Sequence, residues 1–164
     1  GNEGEISIGK YCLLTPGVRI ASASKIEIGD GCMFANSAYV SDADWHGIYD
    51  RATPVGKTAP ISLDENVWIG DRAVVGKGVT IGKNSIIAAG AVVVKNVPSN
   101  VVVGGNPARI IKELDPSVDG NTRIKLFQDP SGLKDLYDQI DRYTLKDNSI
   151  FDYIRSILLR NKSH

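Results

Sequence analysis

The chain has 164 residues, and its 19 Lys and Arg against 19 Asp and Glu give a formal net charge of zero. A hydrophobic fraction of 42% with 23% charged residues excludes a disordered chain. Zero net charge argues against a nucleic-acid partner, since no basic excess exists to displace counterions, and no run of about 18 apolar residues exists to cross a bilayer. Gly1–Gly9 lacks the charged-then-apolar layout of a signal peptide, so a cytoplasmic location is expected. Glycine is frequent (17) and aromatics are scarce (7%), which suggests short strands, tight corners and a narrow interior. The two cysteines, Cys12 and Cys32, are too few for a disulfide-built scaffold.

From the N-terminus, large apolar residues recur every six positions at Ile8, Leu14 and Ile20, then at Ile28, Phe34 and Val40. The step from Ile20 to Ile28 is eight, which places two extra residues near Ala23–Ile26. Four residues after these positions come Cys12, Val18, Ser24, Cys32 and Ala38. A helix repeats its apolar face every 3.6 residues and a simple strand every two, so a period of six fits neither. Residues 41–60 (SDADWHGIYDRATPVGKTAP) break the period and are expected to project as a polar loop from one face. The period then resumes at Leu63, Ile69, Val75, Ile81, Ile87 and Val93, with Val67, Ala73, Val79, Ser85, Ala91 and Val97 in the four-later slots. Glycine follows directly at Gly70, Gly76 and Gly82, where a corner favours a residue without Cβ.

Each six-residue unit reads as one short strand and one turn, its aliphatic residue inward. Three units close a coil of about 18 residues, which stacks on the next at roughly 4.8 Å to give three parallel sheets around a filled core. Four to five such coils fit between Ile8 and Val97. Because 32 − 12 = 20 is one coil plus the two extra residues, Cys12 and Cys32 are expected to stack on adjacent coils as reduced, packed thiols. Beyond residue 114 the hexad is lost. Leu133, Leu136, Tyr137 and Ile140, then Ile150, Phe151, Ile154, Ile157 and Leu158, fall at helical spacing, with Ser131 and Asn148 as candidate N-caps. The organisation expected is a mainly β domain, a parallel β-helix over 1–114 with an inserted loop at 41–60. An extended link and two amphipathic helices follow over 115–164. The helices are expected to cap or pack, since residues 115–164 carry eight acidic and eight basic side chains; the cluster of Arg155, Arg160 and Lys162 offers peripheral membrane contact as the alternative.

Four stretches carry a resemblance: Asn66-Val67-Trp68-Ile69-Gly70, Gly78-Val79-Thr80-Ile81-Gly82, Ala88-Ala89-Gly90-Ala91-Val92-Val93 and Gly105-Asn106-Pro107-Ala108-Arg109. On these the chain resembles the hexapeptide-repeat acyltransferases, left-handed parallel β-helices, and in particular their maltose and galactoside O-acetyltransferase branch. The left hand is implied by the resemblance alone, since the general rule for parallel crossovers gives the right.

His46 sits inside the insertion, and the other histidine, His164, is the last residue. An imidazole titrating near pH 6.5 accepts a proton at neutral pH, and the resemblance implies His46 as the general base of an O-acetyl transfer from acetyl-CoA. The transfer is expected to be direct, because both cysteines occupy inward slots and an acyl-cysteine would need a buried thiol; no metal is expected. Asp42 or Asp44 is a candidate to orient the imidazole, or either is simply a solvated loop acid. Asp44, Trp45 and Arg51 are the expected acceptor-side residues. On the coenzyme side the resemblance implies Trp68, Asp71 (where the family often has Ser), Ala89, Val94 and Lys95 (matching a Thr-Lys pair), and the cations Arg109 and Lys112 near the phosphates. Trp68 equally reads as an exposed strand residue against a neighbouring subunit. The resemblance also implies a homotrimer, a saccharide or related acceptor, and a place in cell-surface polysaccharide synthesis. N-acetylation of an amino sugar and a non-catalytic scaffold are the alternatives. The γ-type carbonic anhydrases resemble this fold but need three histidine ligands, which two histidines cannot supply.

Overall fold

The structure, a computed structural model, describes residues 3–118, 120–145, 149–151 and 154. It divides into two compact units, Gly1–Ile124 and Lys125–His164.

The first unit is a parallel β-helix. Its first coil holds β1 (Glu5–Ile8), β2 (Leu13–Leu14) and β3 (Arg19–Ala21), and its second holds β4 (Lys25–Ile28), β5 (Met33–Phe34) and β6 (Tyr39–Ser41). The third holds β7 (Ile61–Leu63), β8 (Trp68–Ile69) and β9 (Val74–Val75), and the fourth β10 (Thr80–Ile81), β11 (Ile86–Ile87) and β12 (Val92–Val93). Equivalent strands pair in parallel, forming a first sheet β1-β4-β7-β10, a second that contains β2-β5-β8-β11, and a third β3-β6-β9-β12. The hexad residues meet rung by rung, as in Leu14↔Phe34↔Ile69↔Ile87 and Ile20↔Val40↔Val75↔Val93. From the second coil upward they are buried, forming one core with the small residues Cys32, Ala38, Val67, Ala73, Val79 and Ala91. On the first coil, Ile8 and Leu14 stay 48% and 42% exposed, since among the described residues only the second coil lies against them.

The corner glycines lack a Cβ for the expected reason at two of the three positions, while at Gly76 a Cβ would meet nothing nearer than 3.4 Å. Gly70 and Gly82 are required by close approach and not by a positive φ: a Cβ on Gly70 would lie 2.6 Å from the Ile87 carbonyl oxygen, and one on Gly82 2.5 Å from the Ser99 amide nitrogen. The left-handed residues come two positions after these glycines, Arg72 after Gly70 and Asn84 after Gly82. At the corner after the first sheet they form a column. Gly31, Asn66, Asn84 and Asn100 stack there with φ of 69°, 59°, 61° and 58°, and Asn is the residue type besides Gly that tolerates this region. Their amides form a ladder, Asn66 Nδ2 donating to Asn84 Oδ1 and Asn84 Nδ2 to Asn100 Oδ1, both at 3.0 Å.

Above the fourth coil the period shortens. Val97 bridges Ile81 in parallel, so it occupies a strand slot of a fifth rung and not the four-later slot its spacing from Val93 suggests. The rung continues as β13 (Val101–Gly104), beside β11. After the cis Asn106–Pro107 peptide, β14 (Arg109–Glu113) returns antiparallel along β13 and ends the second sheet.

Beyond β14, α1 (Arg123–Gln128) stands where the sequence suggested an extended link. Helix α2 (Pro130–Leu145) is capped by Asp129, not by Ser131: Asp129 Oδ1 accepts from the Gly132 N–H at 3.1 Å and from the Ser131 hydroxyl at 2.7 Å. Pro130 then takes the first helical position, where its missing N–H costs nothing. No described residue of either helix is buried. Ile150, Phe151 and Ile154 are helical, while Asn148, Arg155, Ile157, Leu158, Arg160, Lys162 and His164 lie outside the described residues.

Candidate active site

The insertion leaves the β-helix at the corner between the third sheet and the first, after Ser41, and returns at Ile61. It is a hairpin and not an open loop. Ala43 bridges Thr58 and His46 bridges Pro54, both antiparallel. Asp44 N–H donates to the Lys57 carbonyl at 2.8 Å, and Gly56 N–H donates to the Asp44 carbonyl at 2.7 Å. Asp44 thus faces two successive residues of the return strand, a bulge beside which Val55 takes a φ of 62°. A β-branched residue in that region is strained, and such strain gathers at functional sites. Beyond the stem, the Asp50 carboxylate accepts from the Ala52 and Thr53 amides and closes the tip, and the Thr53 side chain, with these two amides, holds its pKa below the ordinary value. Arg51 is exposed at this tip, away from the stem.

His46 ends the outgoing stem with an exposed side chain. Neither candidate acid orients its imidazole. Asp42 is fully buried and its carboxylate turns back to the first coil: it accepts from the Ser22 hydroxyl at 2.7 Å, the Ala23 amide at 2.7 Å and the Ser24 amide at 3.0 Å. The two extra residues of the first coil therefore form the bend that receives this carboxylate. Asp44 turns the other way and pairs with Lys77 of the third coil at 2.5 Å. Trp45 is not free for an acceptor on its polar edge, since its indole N–H donates to the Tyr39 hydroxyl at 3.3 Å. Tyr39 lies under the Arg19 guanidinium, 5.0 Å from ring centre, and hydrogen bonds with Ser41 and Trp45 pull its phenol below the ordinary pKa. Side chains alternate along an extended strand, so Asp44 and His46 share one face of the stem while Trp45 holds the other against the third sheet.

The coenzyme-side residues divide between two corners. Val94 and Lys95 lie at the corner that carries the hairpin, two coils above it. With Val93, Val97, Val103, Ala108, Arg109 and Ile110 they line a pocket of about 250 Å3 at the top of the β-helix. It offers apolar walls with two cationic side chains, a chemistry suited to a nucleotide carrying phosphates. Trp68, 43% exposed on the outer face of β8, and Asp71 and Ala89, stacked one coil apart, belong to the second sheet and the corner after it. Lys112 is exposed on β14, opposite Val102, and does not line the pocket. Neither thiol is poised as a nucleophile: burial pushes Cys32 up to about 12 and raises Cys12, and both donate to carbonyl oxygens, Cys12 to Gly29 and Cys32 to Asp64.

Comparison with known proteins places this geometry. The family described as bacterial transferase hexapeptide (six repeats) matches residues 60–95, the third and fourth coils. The chain is 36% identical over 112 residues to the galactoside O-acetyltransferase of Escherichia coli (strain K12), covering 67% of this chain and 55% of that protein. It is 30% identical to a maltose O-acetyltransferase structure from Clostridium difficile 630, with a TM-score of 0.53 over 68% of this chain and 67% of that one. The chain belongs to the hexapeptide-repeat acyltransferases. Another member, the acetyltransferase VCA0836 of Vibrio cholerae, solved in complex with acetyl coenzyme A, is 34% identical with a TM-score of 0.62, over 67% of this chain and 61% of that one. This hexapeptide-repeat acyltransferase spans about half the length of the curated relative it matches. The family match begins at residue 60, so the hairpin bearing His46 lies outside it.

Proposed function

We propose that this chain transfers an acetyl group from acetyl-CoA directly to a hydroxyl of a saccharide acceptor, with His46 as general base. The observation that carries the reading is the column at one corner of the β-helix. The hairpin presents His46 at the second coil, and Val94, Lys95 and Arg109 surround a cationic, apolar pocket above it. Coils rise by about 4.8 Å each, so an extended donor anchored by its phosphates at the pocket runs down the corner toward the imidazole. His46 takes the proton of the acceptor hydroxyl as that oxygen bonds to the thioester carbon, the C–S bond breaks, and the thiolate leaves and is protonated. With the Cys32 thiol buried, Cys12 half-buried and both thiol pKa values raised, direct attack needs no acyl-cysteine.

Trp68, Asp71 and Ala89 cannot reach the same ligand from a single chain, because they lie on a different corner. A homotrimer, in which one copy's hairpin corner faces its neighbour's second sheet, brings both sets to one groove. The outward row Leu13, Met33, Trp68, Ile86 and Val102 of that sheet supports this arrangement, since it is apolar from end to end. Acetyl-CoA offered with a panel of neutral, acidic and amino sugars, with thiol release as readout, tests the reading. Wild-type protein is expected to release thiol with a hydroxyl acceptor, and His46→Ala to lose at least a hundredfold in rate. Thiol release only with amino sugars makes the chain an N-acetyltransferase. His46→Ala turning over a proven acceptor at the wild-type rate overturns the mechanism.

A further inference from the structure

We infer that Lys77 is a positioning residue: through its ion pair with Asp44 it fixes the face of the hairpin that presents His46. This rests on the general-base reading of His46.

The hairpin is an insertion, so its stem has no coil of its own to hold it, and it is tied at its base by backbone bonds. Ala59 N–H donates to the Asp42 carbonyl at 2.9 Å and Gly78 N–H to the Ala59 carbonyl at 3.0 Å. Side chains then clamp the outgoing strand from both sides. Asp42 reaches down to Ser22, Ala23 and Ser24, and Asp44 reaches up to the Lys77 ammonium. Asp42 and Asp44 leave the strand in opposite directions, so of the two anchors it is Asp44, two residues before His46, that fixes the face on which the imidazole stands. Lys77 sits one coil below Lys95 at the same corner, yet the two cations have different tasks. Lys95 lines the upper pocket, whereas the Lys77 charge is neutralised by Asp44.

The pair is about one-third exposed on each side, so it contributes little to global stability. Its consequence is geometric. The bulge opposite Asp44 interrupts the regular pairing two residues before His46, and the ion pair holds the stem there. A displacement of about 1 Å in a catalytic group costs up to about a hundredfold in rate.

Lys77→Met, Lys77→Arg and Asp44→Asn test this, with steady-state thiol release and amide hydrogen exchange across residues 42–60. Lys77→Met is expected to lower kcat about 10- to 100-fold with the KM for acetyl-CoA within about threefold of wild type. The Asp44, Val55 and Gly56 amides then exchange faster while the melting temperature holds. Lys77→Arg restores most of kcat, and Lys77→Met with Asp44→Asn is no worse than Lys77→Met alone, as expected for two halves of one interaction. If Lys77→Met does not fold, Asp44→Asn breaks the pair from the other side. A kcat within twofold of wild type with unchanged exchange overturns the inference, as does a loss confined to the KM for acetyl-CoA, which makes Lys77 a phosphate contact. His46→Ala separates the two readings. If it is inactive while Lys77→Met is not, only the positioning role falls. If His46→Ala is active, the base assignment falls and the exchange data alone judge the anchor.

Discussion

Removing the Asp42 carboxylate unfastens the hairpin from the β-helix at a calculable cost. The group is fully buried, and its oxygens accept from one hydroxyl and two backbone amides. Ser22 and Ser24 are partly exposed and recover water in Asp42→Ala, but the Ala23 amide is buried and does not. One unsatisfied buried donor costs about 1 to 3 kcal/mol, and hydrogen bonds to a charged group contribute about 1.5 to 3 kcal/mol each. Asp42→Ala is therefore expected to lose about 3 to 5 kcal/mol, at the upper end of single-substitution effects. Asp42→Asn is the sharper test, because it keeps the volume. Oδ1 faces the Ala23 N–H and Oδ2 faces the Ser24 N–H, so either placement of the Asn amide sets an NH2 against a backbone donor. A loss of about 2 to 3 kcal/mol is expected from urea unfolding, with the slope m unchanged. Hydrogen exchange at Ala23 should rise in parallel. If Asp42→Asn unfolds within about 0.5 kcal/mol of wild type, the carboxylate is not the anchor described above.

Position in the stack sets the cost of core truncation. Ile69→Ala, fully buried in the third coil, is expected to lose about 3 to 4 kcal/mol, and Leu14→Ala, half-exposed in the first coil, under about 1 kcal/mol, both read from denaturant midpoints. The Cys32 thiol gives a pH dependence of definite sign. Its pKa rises on folding from 9.0 to about 12, so the unfolded chain loses the proton first. The stability from this group is intact below pH 9 and declines above it by up to about 1.4 kcal/mol per pH unit. Cys32→Ala should show a shallower alkaline decline than wild type, and an equal one would contradict the burial. On the coenzyme side, Lys95→Ala and Arg109→Ala are each expected to raise the KM for acetyl-CoA about 5- to 10-fold and to leave kcat within about threefold. A fall in kcat alone would remove them from the phosphate site.

The repeat was legible because a hexad residue has only one way to be useful in a stacked coil, inward, and Ile28, Phe34, Val40, Leu63, Ile69, Val75, Ile81, Ile87 and Val93 are all buried there. The adjacent-coil placement of Cys12 and Cys32 followed from the same arithmetic, through the in-register pair Leu13↔Met33. Val97 broke it, since a corner shortened by two residues leaves no signal in a side chain that is aliphatic in either slot. The hairpin and the antiparallel β14 were illegible for another reason: their pairing is mostly between backbone groups, which carry no residue code. Asp44 and Lys77 are 33 positions apart and meet only because the insertion folds back on the next coil. The residues of the proposed donor site were read from their motifs, whereas their division between two corners is a property of the coil count.

Hydrogen exchange of the wild-type protein with and without coenzyme A tests the central claim most directly. Protection is predicted at Val93–Pro98 and Ala108–Ile110, around the upper pocket, together with the stem that carries His46. Protection confined to the outer face of the first sheet, or none at saturating coenzyme A, would contradict a donor lying along the hairpin corner.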